Sequence, residues 1–152
     1  MALPKRYHPG ADEPAIQARW QQSEVYHFAP ESGQPVYAID TPPPTASGHL
    51  HLGHVYSFSH TDFMARFWRM NGCTIFYPMG YDDDGLPTER LVEKWRGITA
   101  SQVGRRAFIE ECLAISAEVE KGYEALWRRL GLSIDWRYSL PNKSHLLLDL
   151  YA

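Results

Sequence analysis

Two histidines on either side of a glycine are the residues best suited to act on a phosphate group. They end the segment TPPPTASGHLHLGH, residues 41–54, which precedes an apolar run without proline. Because the first amides of a helix are unpaired and its dipole is positive there, His51 and His54 would stand beside an anion-binding helix start. Gly48 and Gly53 would let the backbone turn or approach a ligand closely. The segment therefore predicts a phosphate site with a histidine hydrogen bond or charge.

A second unusual segment, GYDDDGLPTE at residues 80–89, carries three consecutive carboxylates. Neighbouring side chains of an extended loop point apart, so Asp82, Asp83 and Asp84 cannot easily face one metal ion. Mg²⁺ usually needs only one or two carboxylates besides phosphate oxygens. The favoured interpretation is a solvated acidic loop with one functional member, and no dedicated protein metal site is predicted.

A zinc site is the alternative interpretation of the histidines. His49, His51 and His54 form a His-x-His-x-x-His pattern, but no thiol or carboxylate accompanies them in a known zinc spacing. The helix start that follows them favours the phosphate interpretation.

Two strands and the helix between them must position these segments. Residues 36–40 form a short β-prone run, residues 53–70 indicate a helix that could be buried on more than one face, and residues 74–79 form a second strand. A strand–helix–strand unit of this length predicts parallel strands with a right-handed crossover. Both segments then follow strand ends at the same edge of the sheet, where ligands bind in open α/β folds.

Further helices are predicted before and after this unit. Acidic residues and a proline predict a helix over residues 12–24, and residues 89–95 predict a short helix. A long helix is predicted from the capping residues at 99–102 to Leu130, with no chemistry on it. Its predicted core-facing stripe comprises Ile109, Leu113, Ser116, Val119, Tyr123, Leu126 and Leu130.

The composition is typical of a globular domain. The chain has 152 residues, of which 44% are hydrophobic and 22% charged. No apolar run is long enough for a membrane span and the N-terminus has no signal-peptide core, so no membrane partner and a cytoplasmic location are expected. Cys73 and Cys112 are isolated, which suits a reducing compartment. A net charge of −3 argues against a basic nucleic-acid module.

The first segment resembles the first signature of the class I aminoacyl-tRNA synthetases. That signature usually ends His-Ile-Gly-His, and here Leu52 replaces the isoleucine. The valine/isoleucine/leucine subgroup is the best match and the valine enzymes most of all, although these more often carry asparagine where Thr45 stands. The second segment resembles their second conserved block, Gly-x-Asp-x-x-Gly-Leu-Pro-x-Glu. Residues 130–136 resemble the block before their inserted editing domain, but Asp135 and Trp136 could equally anchor a turn.

The resemblance implies an enzyme that activates valine with ATP and then transfers it to the valine tRNA. Mg²⁺ would be carried by the nucleotide. The transition state gains negative charge at the α-phosphate, where positioned donors stabilise it. The implied sites are catalytic His51 and His54; ATP-binding Gly48, His51, Gly53 and His54; and amino-acid-binding Pro43, Pro44, Thr45 and Asp82, the last holding the ammonium group.

The implied fold is α/β, the first half of a Rossmann-like catalytic domain of the HIGH-type nucleotidyl transferases, with a parallel βαβ core plus helices. Residues 1–34 would form an N-terminal arm and helix, residues 35–138 the half-domain, and residues 139–152 a divergent tail. No Lys-Met-Ser-Lys-Ser loop is present, since residues 142–144 are too short a match. The chain is therefore expected to be a fragment or a truncated gene product, with a possible partner chain supplying the other half.

Two other functions stay open from the sequence. One is a small stand-alone nucleotidyltransferase of the same superfamily, against which the blocks at 80–89 and 130–136 argue. The other is a non-catalytic synthetase paralogue that binds nucleotide or a partner, against which the intact signature histidines argue.

Overall fold

The computed structural model describes residues 6–83 and 85–139. Asp84 and residues 140–152 lie outside the described residues, and with them the 142–144 match and nearly all of the expected tail. The elements in chain order are α1 (Pro9–Gln22), β1 (Val36–Ala38), α2 (Leu52–Met70), β2 (Thr74–Phe76), α3 (Leu86–Arg96), α4 (Ala100–Val103) and α5 (Arg105–Arg129), with short 3₁₀ turns at Pro30–Ser32 and Trp136–Tyr138.

The two strands form a parallel sheet, which confirms the predicted α/β core. Val36 pairs with Thr74 and Ala38 with Phe76, and the Ile39 amide donates to the Phe76 carbonyl over 2.8 Å. Both strands are shorter than predicted. Immediately after β2, the Tyr77 carbonyl accepts a hydrogen bond from the Asp135 amide, which lies in the segment that follows α5, and not from β1.

Helix α2 packs against β2, and α2 and α5 together supply a large share of the buried apolar side chains. Phe58 on α2 packs on Trp127 of α5 with ring centroids 4.6 Å apart. Ile75 of β2 and Ile115 of α5 are buried in the same apolar cluster. Burial of this apolar area is the main force that holds the helices on the sheet.

The predicted long helix is two helices. Gly104 has a φ of 83°, a left-handed value that glycine adopts without strain, and it ends α4 before α5 begins. Thr99 caps α4 in a reciprocal capping box with Gln102, as the sequence predicts.

The core-facing side of α5 also differs from the predicted stripe. Ser116, Val119 and Tyr123 are buried as predicted, but Ile109, Leu113 and Leu130 are exposed. The stripe that is buried includes instead Phe108, Ile115, Glu120 and Trp127. Adjacent helical stripes both carry apolar residues here, so apolar character alone does not identify the face that meets the sheet.

Only one face of α2 is buried, through Phe58, Asp62 and Ala65. The prediction of burial on more than one face is therefore wrong for this chain. The opposite side exposes a row of large apolar residues: Tyr56, Phe63, Met64, Phe67 and Met70. None of the helices within residues 6–83 and 85–139 combines the length and apolar character of a membrane span.

Candidate active site

The segments that follow the two strands meet at Thr45 and Asp82. These residues form a parallel β-bridge. The Asp82 amide donates to the Pro44 carbonyl over 3.0 Å, and the Ala46 amide donates to the Asp82 carbonyl over 2.7 Å. The Thr45 hydroxyl donates to one Asp82 carboxylate oxygen over 3.1 Å. The predicted convergence of the two segments at one sheet edge is therefore present in the structure.

This bridge orients the carboxylate proposed to meet an ammonium group. A carboxylate offers about four lone-pair positions, and the Thr45 hydroxyl uses one of them. The backbone pairs on both sides of Asp82 hold its Cα. Of the three residues expected to form an amino-acid pocket, Pro44 is buried, Thr45 is half-buried and Pro43 is exposed.

His51 is the N-cap of α2. Its Nδ1 accepts a hydrogen bond of 3.1 Å from the Gly53 amide, and the Nδ1 of His54 accepts one of 3.2 Å from the His51 amide. The two imidazole rings lie with centroids 4.0 Å apart. Two of the unpaired amides of the helix start are thus satisfied by the histidines that the sequence singles out.

This capping arrangement determines the protonation of both rings. A ring nitrogen that accepts a hydrogen bond carries no proton, so in neutral His51 and His54 the proton is on Nε2. Burial, with a contribution from His51, lowers the pKa of His54. With Nδ1 as an acceptor, the neutral form of each ring offers Nε2–H as a donor, of the kind that stabilises a developing charge on a phosphate oxygen.

The structure favours glycine at positions 48 and 53 for two different reasons. Gly48 has a φ of 139°, which side chains rarely tolerate, and a Cβ there would lie 4.0 Å from Leu91. At Gly53 a Cβ would lie 2.9 Å from Cε1 of His51. Gly53 thus leaves the space in which the capping ring lies.

Two side chains from other helices hold the first segment in place. The Tyr123 hydroxyl of α5 donates to the Thr45 carbonyl over 3.0 Å, and the Thr88 hydroxyl of α3 donates to the Ala46 carbonyl over 3.3 Å. Neither residue is among the predicted site residues. Tyr123 lies on the predicted apolar stripe, but nothing in that pattern indicates a partner 78 residues away.

A buried carboxyl group also lies at this edge. Glu120 of α5 is 4% exposed, and neither of its carboxyl oxygens has a hydrogen-bond partner among the described residues. Burial, together with the negative charge of Asp83, raises the pKa of Glu120 to about 7. No chemistry was predicted on this helix, and Glu120 was not among the predicted site residues.

The histidines and aspartates do not group as a metal site in the structure. Within the described ranges no set of three or more His, Cys, Asp or Glu side chains is arranged to hold a metal ion. His49, the third member of the zinc pattern, faces Trp95 with ring centroids 6.2 Å apart. It also lines a cavity of about 250 Å³ between the first segment and α5.

The block at residues 130–136 anchors turns. Asp135 is 1% exposed; its carboxylate accepts from the Phe28 amide over 2.8 Å and from the Arg137 guanidinium over 2.6 Å. Its own amide donates to the Tyr77 carbonyl over 3.0 Å. Burial favours a higher pKa for Asp135, but the hydrogen bonds from Arg137 and Phe28 lower it overall. The turn-anchor interpretation of Asp135 is confirmed.

A second buried carboxylate ties α2 to the same block. Asp62 accepts two bonds of 2.6 Å from the amide and hydroxyl of Ser133, and a third of 2.6 Å from Arg66. Arg66 also donates to the Gly131 carbonyl. A larger cavity, of about 520 Å³, lies beyond this block against α1, away from the Thr45–Asp82 bridge.

Comparisons with known proteins agree with this architecture. The family model described as tRNA synthetases class I (I, L, M and V) matches residues 15–141. The chain is 49% identical to a valine–tRNA ligase of Thermobifida fusca (strain YX), which covers 79% of this chain and 16% of that protein. It is also 49% identical to a valine–tRNA ligase of Rickettsia canadensis (strain McKiel), covering 89% of this chain and 17% of that protein.

The structure resembles part of a solved synthetase complex. This complex is the ternary complex of the Agrobacterium radiobacter K84 agnB2 LeuRS with tRNA and LeuAMS, with a TM-score of 0.76 and 25% identity. The match covers 96% of this chain and 18% of that chain. The chain thus spans about a sixth of the length of the curated relatives it matches. By its sequence and its fold, the chain belongs to the class I aminoacyl-tRNA synthetases of the isoleucine, leucine, methionine and valine group.

Proposed function

We propose that this chain is the part of a valine–tRNA ligase that binds ATP and valine for the first step, formation of valyl-adenylate. The Thr45–Asp82 bridge carries the proposal, because it places the carboxylate of one segment beside the segment that leads into the His51-capped start of α2. The valine–tRNA ligase relatives at 49% identity support valine as the amino acid.

Each predicted residue has a role in this proposal. Asp82, oriented by Thr45, accepts hydrogen bonds from the ammonium group of valine, since a carboxylate–ammonium pair is charge-assisted. Pro43 and Pro44 form a rigid apolar wall for the side chain. Such a wall separates near-isosteres only modestly.

The phosphate site is formed at the start of α2. His51 and His54 donate Nε2–H to the non-bridging oxygens of the α-phosphate, whose negative charge grows in the transition state. Gly48 and Gly53 allow the nucleotide to approach the backbone, and the positive end of the α2 dipole adds attraction for the anion. Mg²⁺ enters with the nucleotide as part of the substrate.

The transfer to tRNA belongs to the proposed whole protein. We propose a cytoplasmic location for that protein, and for this chain a division into an N-terminal arm and helix (1–34), the half-domain (35–138) and a tail (139–152). A chain with a net charge of −3 provides little of the phosphate neutralisation that dominates nucleic-acid affinity. We therefore expect the isolated 152-residue chain to bind ligands of the first step weakly and not to charge tRNA.

The test combines ligand-binding measurements with two activity assays, all on the purified chain. Calorimetry measures binding of ATP and of a non-hydrolysable valyl-adenylate analogue, with the isoleucyl and leucyl analogues as specificity controls. ATP–pyrophosphate exchange with valine and charging of valine tRNA are measured in parallel. Analogue binding with exchange near background supports the proposal. Binding of ATP without any analogue indicates a stand-alone nucleotidyltransferase, and binding of neither ligand indicates an inactive fragment.

A further inference from the structure

The buried carboxyl group of Glu120 has no role in the proposed reaction as described so far. It lies on α5 three residues before Tyr123, so the two side chains share a face of the helix. Tyr123 holds the Thr45 carbonyl and packs against Tyr81 with ring centroids 6.2 Å apart. Glu120 is therefore on the helix face over which the Tyr81–Asp83 segment runs.

The surroundings of Glu120 are almost free of compensating charge. The titratable groups that face it from the Tyr81–Asp83 segment are Asp83, whose negative charge raises the pKa of Glu120, and the buried phenol of Tyr81. On α5 itself the next acidic residue is Glu124, which is paired with Arg128 at 2.6 Å. Among the described residues, neither carboxyl oxygen of Glu120 has a hydrogen-bond partner that would stabilise its ionised form.

A carboxylate buried without donors is costly, and the group responds by keeping its proton. The neutral acid adds no charge beneath Asp83, whereas the ionised form adds a second negative charge close to it. Like charges in a site of low dielectric repel strongly. We expect this repulsion to displace the Tyr81–Asp83 segment, because the segment is a loop. Helix α5 is held in place by its own backbone hydrogen bonds.

We propose that Glu120 is a positioning residue for the amino-acid site: as an uncharged acid it lets the Tyr81–Asp83 segment lie on α5, which keeps Asp82 bridged to Thr45. Ionisation of Glu120 loosens that bridge and with it the orientation of the Asp82 carboxylate. The inference rests on the proposed role of Asp82, but the bridge itself is observable without any substrate.

The test measures amide hydrogen exchange by NMR on the complete chain at pH 6 and pH 8, with each rate divided by its intrinsic rate at that pH. The reporters are the two bridge amides, Asp82 and Ala46, which donate to Pro44 and Asp82. The internal reference is the Ile39 amide, which donates to Phe76 in the neighbouring strand pair.

In the wild type we expect protection of the bridge amides to fall about tenfold more than that of Ile39 between these pH values, as a group of pKa near neutrality ionises. Glu120→Gln is uncharged at both pH values, and its bridge should keep its protection. Glu118→Gln removes an exposed carboxylate two residues away and should behave like the wild type.

Equal bridge protection in the wild type and Glu120→Gln at both pH values would overturn the proposal. So would a ¹³C carboxyl titration of Glu120 close to the ordinary value for glutamate. If Glu120→Gln does not fold, the site requires the carboxylate and the proposal is also wrong. Failure of the valyl-adenylate analogue to bind would instead count against the proposed function, because these measurements use no ligand.

Discussion

The hydroxyl of Thr45 donates a hydrogen bond of 3.1 Å to the carboxylate of Asp82, across a bridge between segments 37 residues apart. The side-chain bond sets the orientation of the carboxylate, and the backbone bonds set its position. Valine enzymes of the family more often carry asparagine at this place, which can also donate to a carboxylate. The contact explains how threonine can serve there.

Replacing Thr45 by valine removes this donor and keeps the shape of the side chain. We expect affinity for the valyl-adenylate analogue to fall about tenfold or more, because one hydrogen bond to a charged group contributes about 1.5–3 kcal/mol. Thr45→Ser should retain most of the affinity. Thr61→Val is the matched control, since that hydroxyl bonds only within α2. Unchanged affinity in Thr45→Val would show that the contact does not orient Asp82 for binding.

Asp82→Asn should raise the requirement for valine by about tenfold or more and alter the requirement for ATP much less, because a charge-assisted bond to the ammonium group is lost. Asp83→Asn removes the neighbouring charge and should matter less. The measurement is ATP–pyrophosphate exchange in a full-length ligase that carries this segment. The reverse order of sensitivity would make Asp83 the ammonium ligand. Asp84→Asn is also expected to matter less, although Asp84 lies outside the described residues.

His51 and His54 combine capping with the proposed phosphate contact, and substitutions can separate the two roles. His51→Ala should weaken ATP binding and also destabilise α2 by about 1 kcal/mol, since it removes an N-cap. His51→Asn keeps a capping acceptor but loses the Nε2–H donor, so stability should be retained while ATP binding falls. For either histidine, loss of the donor should slow adenylate formation about tenfold or more. Normal ATP binding and kinetics in His51→Asn and His54→Ala would leave the histidines with a capping role alone.

Gly53→Ala should displace the ring of His51, because the new Cβ would lie 2.9 Å from Cε1 and 3.0 Å from Nδ1. We expect weaker ATP binding with a small change in the melting temperature. Gly122→Ala is the control: it is the same substitution within a helix, and a Cβ there meets nothing within 4 Å. That variant should be neutral or more stable by about 0.5–1 kcal/mol. If both variants bind ATP equally well, the space at Gly53 is not needed for the nucleotide.

Stability at low pH should depend on Asp135. Hydrogen bonds from Arg137 and Phe28 outweigh burial and lower the pKa of this carboxyl group from its ordinary value of 3.8. A carboxyl group whose pKa is lower in the folded state than in the unfolded state stabilises the fold at any pH above its unfolded-state pKa. This stabilisation is lost as the pH falls through the folded-state pKa. Asp135→Asn should reduce the free energy of unfolding at pH 7 by about 1–3 kcal/mol and flatten its dependence on pH below about 4. Urea unfolding at pH 2–7 measures both effects, with Glu118→Gln as the exposed control; an unchanged acid slope in Asp135→Asn would refute this assignment.

Local patterns in the sequence were sufficient for several parts of the site. The β-prone run before the three prolines forms β1, and the His-x-Gly-His order begins α2. The spacing of the two strands around one helix predicts their parallel pairing, which the register confirms. These features depend on residues a few positions apart or on the length of one connection. They can therefore be predicted from a single sequence.

Contacts between distant residues were decided only by the tertiary structure. The bond from Tyr123 to Thr45 and the bonds from Ser133 to Asp62 join residues more than 70 positions apart. Which stripe of α5 is buried depends on how this helix packs against its neighbours, α3 and α4 among them, and it begins only after Gly104 interrupts the predicted single helix. Glu120 lies on the same helical face as Ser116 and Tyr123, but a glutamate at such a position is usually solvated. Its burial, which raises the pKa of its carboxyl group to about 7, arises only in the folded chain.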